Sequence, residues 1–162
     1  MTFNIVDYNP KDLSDLLQVS HRAWTPVFAA LAPIAEPFVM EAFYPDGWWA
    51  RQNRDIEALA NDDAVRIWVA KDNHGTLIGF VGARLHPEDS MGEIYILAVD
   101  PAHQRKGIGT ALMNLAFDRI KDAGMSIVMV ETGDDPGHAP AQAAYERIGF
   151  KRWPVARYFR RL

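Results

Sequence analysis

The chain has no cysteine among its 162 residues. That excludes a disulfide scaffold, a thiolate zinc site, an iron–sulfur cluster and a cysteine nucleophile. It also fits a reducing compartment. No apolar run approaches the ~18 residues that cross a bilayer. The first residues, Met1-Thr2-Phe3-Asn4-Ile5-Val6-Asp7, lack the cationic stretch and apolar run of a secretory signal. A soluble, cytoplasmic protein with no membrane partner is expected. A basic surplus is missing too. Lys+Arg number 17 against 21 Asp+Glu, a formal net charge of -4, which argues against nucleic acid as a partner. The histidines at 21, 74, 86 and 103 are scattered and none pairs at metal-ligand spacing, so no metal is expected.

What the chain does have is apolar material, 49% hydrophobic and 11% aromatic, enough for one sizeable core. Its length suits one domain. Phe3 to Tyr8 alternates apolar and polar residues, the period of a strand. Asp12 can cap a helix carrying Leu13, Leu16, Leu17 and Ser20 to about Trp24, and Pro26, Pro33 and Pro37 predict short broken helices after it. A more polar helix is expected from Trp48 to Ala60.

Beyond that the pattern sharpens. Val65 to Lys71 and Thr76 to Leu85 read as strands joined by an Asn73-His74-Gly75 hairpin turn. Glu93 to Val99 is a nearly unbroken apolar run, as in a strand covered on both faces. A helix follows from about Lys106 to Ala123, with Ile108, Ala111, Leu112, Leu115, Ala116 and Ile120 on one face. Ile127 to Val130 is a further buried strand, parallel to the strand before the helix. A Gly/Asp/Pro-rich loop, 132–139, leads to a short helix begun by Pro140 and ended before Gly149. Phe150 to Phe159 is expected to form a final strand.

The strongest local signal is Gln104-Arg105-Lys106-Gly107-Ile108-Gly109-Thr110, between a buried strand and a helix start. The first N–H groups of a helix have no intrahelical partner, and the dipole there is positive. Gly107 and Gly109 let the backbone come close to a ligand. Arg105 and Lys106 add positive charge and Thr110 a hydroxyl. These features make a site for a phosphate or diphosphate. It is not a P-loop, since Gly109 is followed by Thr110-Ala111, and not the dinucleotide fingerprint, since Leu112 stands where Gly or Ala belongs.

Val99-Asp100-Pro101 followed by Gln104-x-x-Gly107-x-Gly109-Thr110-Ala111-Leu112 resembles the acetyl-CoA-binding motif of the Gcn5-related N-acetyltransferases (GNAT). The segment Ala141-Gln142-Ala143-Ala144-Tyr145-Glu146-Arg147-Ile148-Gly149-Phe150 is similar to the family's second signature. The resemblance covers roughly residues 65 to 155. It implies an α/β fold, a mixed and mostly antiparallel sheet flanked by helices with a central parallel βαβ unit. It also implies one acetyltransferase domain over 1–162, with an acceptor-side helical segment (1–62) and an acetyl-CoA-binding core (65–155).

By this resemblance, the diphosphate of the co-substrate acetyl-CoA rests on Gln104, Arg105, Lys106, Gly107, Ile108, Gly109 and Thr110. The pantetheine arm pairs with the backbone of Leu97, Ala98 and Val99, provided the two parallel strands splay at their C-terminal ends. His138 stands where the family usually has Asn and can contact the cofactor, or be a loop histidine without a role. Glu93 corresponds to the catalytic base of histone acetyltransferases in this superfamily, acting directly or through water. Otherwise it is a strand-end carboxylate in solvent or in a salt bridge. Tyr145 is the candidate acid for the leaving thiolate and also fits a core position, while Tyr95 is a weaker alternative that fits packing.

Acetyl transfer to a primary amine of a small molecule or peptide is therefore the expected function. Acceptors in view are a protein N-terminus or lysine, a polyamine, an antibiotic amine and a small metabolite. A non-catalytic acetyl-CoA-binding regulatory module is the rival. Trp24, Phe28, Phe43, Tyr44, Trp48 and Trp49 fit an acceptor pocket, or else core or homodimer contacts. Arg157, Arg160 and Arg161 fit an anionic contact or, better, a solvated edge strand.

Overall fold

The computed structural model describes residues 2–162. Its elements divide into two compact units. The first holds the chain up to Trp24 together with Asn53–Glu131, and the second holds Thr25–Gln52 with Thr132–Leu162.

The first unit is built on five strands, β1 (Phe3–Asp7), β2 (Val65–Asp72), β3 (Leu77–His86), β4 (Met91–Val99) and β5 (Ile127–Val130), ordered as numbered. The pairs β1–β2, β2–β3 and β3–β4 are antiparallel, and β4–β5 is parallel. This is the mixed, mostly antiparallel sheet expected, with the parallel unit at the β5 side. Neighbouring strand residues face opposite ways, so β2, β3 and β4 each feed two cores. Phe80 and Val69 join Leu16, Val19, Ile56 and Leu59 on one face. Val81 and Ala70 join Ile108, Leu112, Ala116 and Ile120 on the other. The helices responsible are α1 (Leu13–Leu31), α3 (Trp48–Ala60) and α4 (Ile108–Asp122).

Local chemistry explains the turns. The Asp72 carboxylate accepts the N–H groups of His74 and Thr76, both at 2.9 Å, and Gly75 takes φ +81 to close the hairpin. The start of α1 departs from the expected cap. Asn9 accepts from the Lys11 N–H at 3.1 Å, while Asp12 accepts from the Asn9 N–H at 3.1 Å and pairs with Lys71 at 2.6 Å. Asp12 is thus the reciprocating member of a capping box.

In the second unit, the expected break at Pro26 does not occur, and α1 runs through it to Leu31. Proline forfeits one backbone bond, and the helix absorbs that loss. Then come α2 (Pro37–Phe43), begun by its proline, and α5 (Ala139–Arg147). Phe28 stacks on Trp48 at 4.5 Å and meets Tyr44 edge-on at 5.2 Å. These aromatics pack on one another.

The final strand expected over Phe150–Phe159 is absent, and the segment after α5 has no regular structure. Pro154 cannot donate to a ladder. Trp153 and Tyr158, 86% and 90% exposed, bury too little to drive one. The arginines near the end therefore protect no strand edge. Arg161 instead reaches Glu41 at 3.4 Å and lies over Phe38. No helix among the described residues is long and apolar enough to cross a membrane.

Candidate active site

The ladder between β4 and its parallel partner is short. Pairing with β5 runs from Met91↔Ile127 to Ile94↔Val130 and stops, because β5 ends there. β4 continues to Val99 with β3 on its other side, where Leu97, Ala98 and Val99 pair with Val81, Phe80 and Gly79. A register shift sets Gly82 opposite Ile96 and Ala83 opposite Ile94, leaving Tyr95 as an extra residue. Such a bulge bends a strand and re-aims side chains. Ile94 accordingly packs on the α4 side, while Ile96, two residues on, packs on the α1–α3 side. Among the described residues, β4 has no ladder partner on its β5 side beyond Ile94.

This strand feeds directly into the glycine loop. Asp100 anchors the junction. One carboxylate oxygen accepts the Ala102 N–H at 3.0 Å, the other pairs with Arg22 at 2.7 Å, and the Asp100 N–H donates to the Ile78 carbonyl at 2.9 Å. Asp100 appears in the sequence only as the end of a strand, and its partner Arg22 stands 78 positions earlier. Arg105 at φ +59 and Gly107 at φ +82 turn the chain, and α4 begins after Gly107 with no side-chain cap. The amides of Ile108, Gly109 and Thr110 thus head a 15-residue helix whose dipole favours an anion.

The loop's side chains divide by task. Gln104 donates to the Val99 carbonyl at 3.1 Å and Lys106 to the Ala102 carbonyl at 2.7 Å, so both brace the loop in this structure. Ile108 is buried in the α4 core, which leaves only its amide for a ligand. A methyl on Gly109 would meet only Val99, at 3.6 Å. Beneath them, a methyl on Gly79 would come within 3.0 Å of the Ala98 carbonyl and 3.3 Å of Ile108, so glycine lets the helix start sit close to the sheet.

Glu93 projects from the face of β4 opposite α4, since Gly92 beside it faces Ile120. Its carboxylate lies 2.8 Å from Nε2 of His86, at the end of β3. In the sequence His86 is one of the scattered histidines. The signal that finds it is antiparallel register across the Pro87–Ser90 turn. Tyr95 is 50% exposed and lies under the Arg84 guanidinium at 5.0 Å, and Arg84 pairs with Asp62.

Tyr145 and His138 belong to the second unit. Tyr145 sits on α5 with its ring edge-on to Phe150 at 5.8 Å, and burial pushes its phenol above the usual tyrosine range. A phenol that keeps its proton is a donor across neutral pH. His138 precedes α5, and its Nδ1 lies 2.6 Å from Asp135. Asp135 also accepts the Gly137 N–H at 2.9 Å, so one ring nitrogen is committed within the turn. Among the described residues, no three His, Asp or Glu side chains gather as metal ligands.

Comparison with known proteins agrees with this arrangement. Residues 24–150 match the model of the acetyltransferase (GNAT) family. A mycothiol acetyltransferase of Segniliparus rotundus is 31% identical over 147 residues, covering 87% of this chain and 48% of that protein. One from Thermomonospora curvata is 37% identical over 108 residues, covering 67% of this chain and 35% of its own length. The chain thus spans about half, or less, of the length of these curated relatives. Among solved structures, the PaiA N-acetyltransferase of Thermoplasma acidophilum in complex with coenzyme A shares the fold, with TM-score 0.71 and 20% identity over 96% of this chain and 94% of that one. The ribosomal-protein-S18-alanine N-acetyltransferase of Escherichia coli does so at TM-score 0.68 and 20% identity, over 94% and 80%. On the strength of the family match, this chain belongs to the GNAT family of acetyltransferases, whose co-substrate is acetyl-CoA.

Proposed function

We propose that the chain moves an acetyl group from acetyl-CoA directly to a primary amine of a small molecule or peptide. One observation carries this reading: β4 outruns its β5 partner and leads into a helix start with free amides. The edge of Leu97–Val99 suits the pantetheine amides, and the backbone of 104–110 suits the diphosphate. His138 offers its free ring nitrogen to the same coenzyme.

An alkylamine with a pKa near lysine's ~10.4 is cationic at neutral pH and must shed a proton before attack. Glu93 takes that proton, directly or through water. The amine nitrogen bonds to the thioester carbonyl carbon, the C–S bond breaks, and Tyr145 protonates the departing sulfur. No cysteine exists to carry an acyl-enzyme, which fits transfer in one step.

The acceptor is an amine of a class still to be assigned. The names of the relatives support mycothiol-related small acceptors, while the fold neighbours include both ribosomal-protein-alanine and aminoglycoside N-acetyltransferases. The test is calorimetric binding of acetyl-CoA, followed by thiol release with a panel of polyamines, aminoglycosides, alanyl and lysyl peptides and mycothiol-related amines. Binding and release with one class are expected. No binding overturns the reading. Binding without release from any amine leaves a coenzyme-binding module. Glu93→Gln should lower turnover most at the acid end of the profile and spare coenzyme affinity.

A further inference from the structure

We infer that His86 is a positioning residue for the base, holding Glu93 so that one carboxylate oxygen is presented to the acceptor amine. The inference rests on the assignment of Glu93 as base. Its physical ground is the contact of His86 Nε2 with Glu93 Oε2 at 2.8 Å. A carboxylate is an acceptor only, so the proton in that contact belongs to Nε2, and His86 donates.

The surroundings make the contact a directed one. The two residues lie near the paired ends of β3 and β4, where Arg84 stands opposite Glu93 and His86 opposite Met91. Their backbones are therefore fixed by the ladder on either side of a short turn. Glu93 is 17% exposed and His86 26%, while Glu88, on the far side of the ring at 3.7 Å from Nδ1, is 70% exposed. The ring thus stands between a sheltered carboxylate and an open one, with Nε2 turned inward.

The cation placed to compete for Glu93 is engaged elsewhere. Arg84 shares the face but pairs with Asp62 and covers Tyr95. Holding Glu93 consequently falls to a donor with two ring torsions rather than to a long flexible arm. One oxygen is occupied by His86, and the other is free to accept from an ammonium group. An oriented base is worth more than a mobile one, because proton removal needs donor and acceptor within about 2.6–3.2 Å.

The experiment compares His86→Leu, His86→Gln and Glu93→Gln in the same amine-dependent thiol-release assay, with melting temperature and acetyl-CoA affinity measured for each. Gln retains a donor amide at nearly the Nε2 position, and Leu retains none. His86→Leu should lower kcat at least about tenfold, and His86→Gln should restore it to within about threefold of the wild type, with acetyl-CoA affinity unchanged in both. A His86→Leu enzyme with normal kcat overturns the inference. So does a His86→Gln enzyme as slow as His86→Leu, since a donor at that point would then be irrelevant. If Glu93→Gln itself turns over normally, it is the assignment of the base that has failed, and this inference goes with it. If Glu93→Gln is slow while His86→Leu is not, the base stands and only the positioning role falls.

Discussion

The two glycines at the start of α4 work for different reasons, and one pair of substitutions separates them. Gly107 holds φ +82, and a methyl placed there would meet no atom within 4 Å. Its constraint is the backbone alone. An L-residue in that region costs about 1–2 kcal/mol. For a chain of this size each kcal/mol shifts the melting temperature by about 2–4 °C, so Gly107→Ala should melt about 2–8 °C lower. Gly107→Asn should lose less, because Asn tolerates the left-handed region. Gly109 lies inside the first turn of the helix, where its only new contact would be Val99 at an ordinary 3.6 Å. Gly109→Ala should therefore hold or gain stability, by up to about 1 kcal/mol. On the proposed seating of the diphosphate, a methyl at Gly109 would nevertheless crowd its approach to the helix-start amides. Losing one charge-assisted hydrogen bond, about 1.5–3 kcal/mol, weakens acetyl-CoA about 10- to 100-fold. Scanning calorimetry without ligand and titration calorimetry with acetyl-CoA read the two effects separately. A Gly109→Ala protein that binds the coenzyme like wild type would falsify the close-approach reading. A Gly107→Ala protein with an unchanged melting point would refute the conformational one.

Other outcomes follow from the same coordinates. A methyl at Gly92 would land inside the Ile120 side chain, so Gly92→Ala should cost about 1–3 kcal/mol in urea unfolding, and Ile120→Ala in the same chain should recover part of it. Tyr145→Phe should fold normally and turn over more slowly, while a large loss of melting temperature instead would make Tyr145 a packing residue only. The raised phenol gives the folded state stability that is whole below the usual tyrosine range near ~10 and fades as pH climbs through the folded value. The difference in tyrosinate absorbance between wild type and Tyr145→Phe should therefore appear above that range. The Asp72 carboxyl is held below its ordinary 3.8, chiefly by the N–H groups of Thr76 and His74. Asp72→Ala should lower the melting point at neutral pH, and the gap should close as pH falls through the lowered value, where the wild-type carboxyl is protonated as well.

Much of the fold was legible because its signals are local. The limits of α3 and β5 coincide with the patterns read over Trp48–Ala60 and Ile127–Val130, and α4 lies within the helix read from its apolar stripe. The α4 stripe announces itself by spacing, since one face must be buried wherever the helix ends up, whereas β5, expected to be buried from its apolar run, leaves Ile127 57% exposed at the start of an edge strand. The glycine loop was legible for a related reason: Gly107 requires a conformation that neighbouring residues alone dictate. Pro26 and the segment after Phe150 misled for the converse reason. Local preference suggested a break at one and a strand at the other, and packing decided against both.

By itself, then, the sequence determined most of the helices and strands, the glycine turn ahead of α4 and which residue types the chemistry has available. Tertiary structure alone decided that β4 outlives its parallel partner and bulges at Tyr95, that Arg22 reaches Asp100 across 78 positions, and that His86 meets Glu93. Periodicity reports which way a side chain faces within its own element. It carries no record of register, and register is what brings distant donors and acceptors within hydrogen-bond reach.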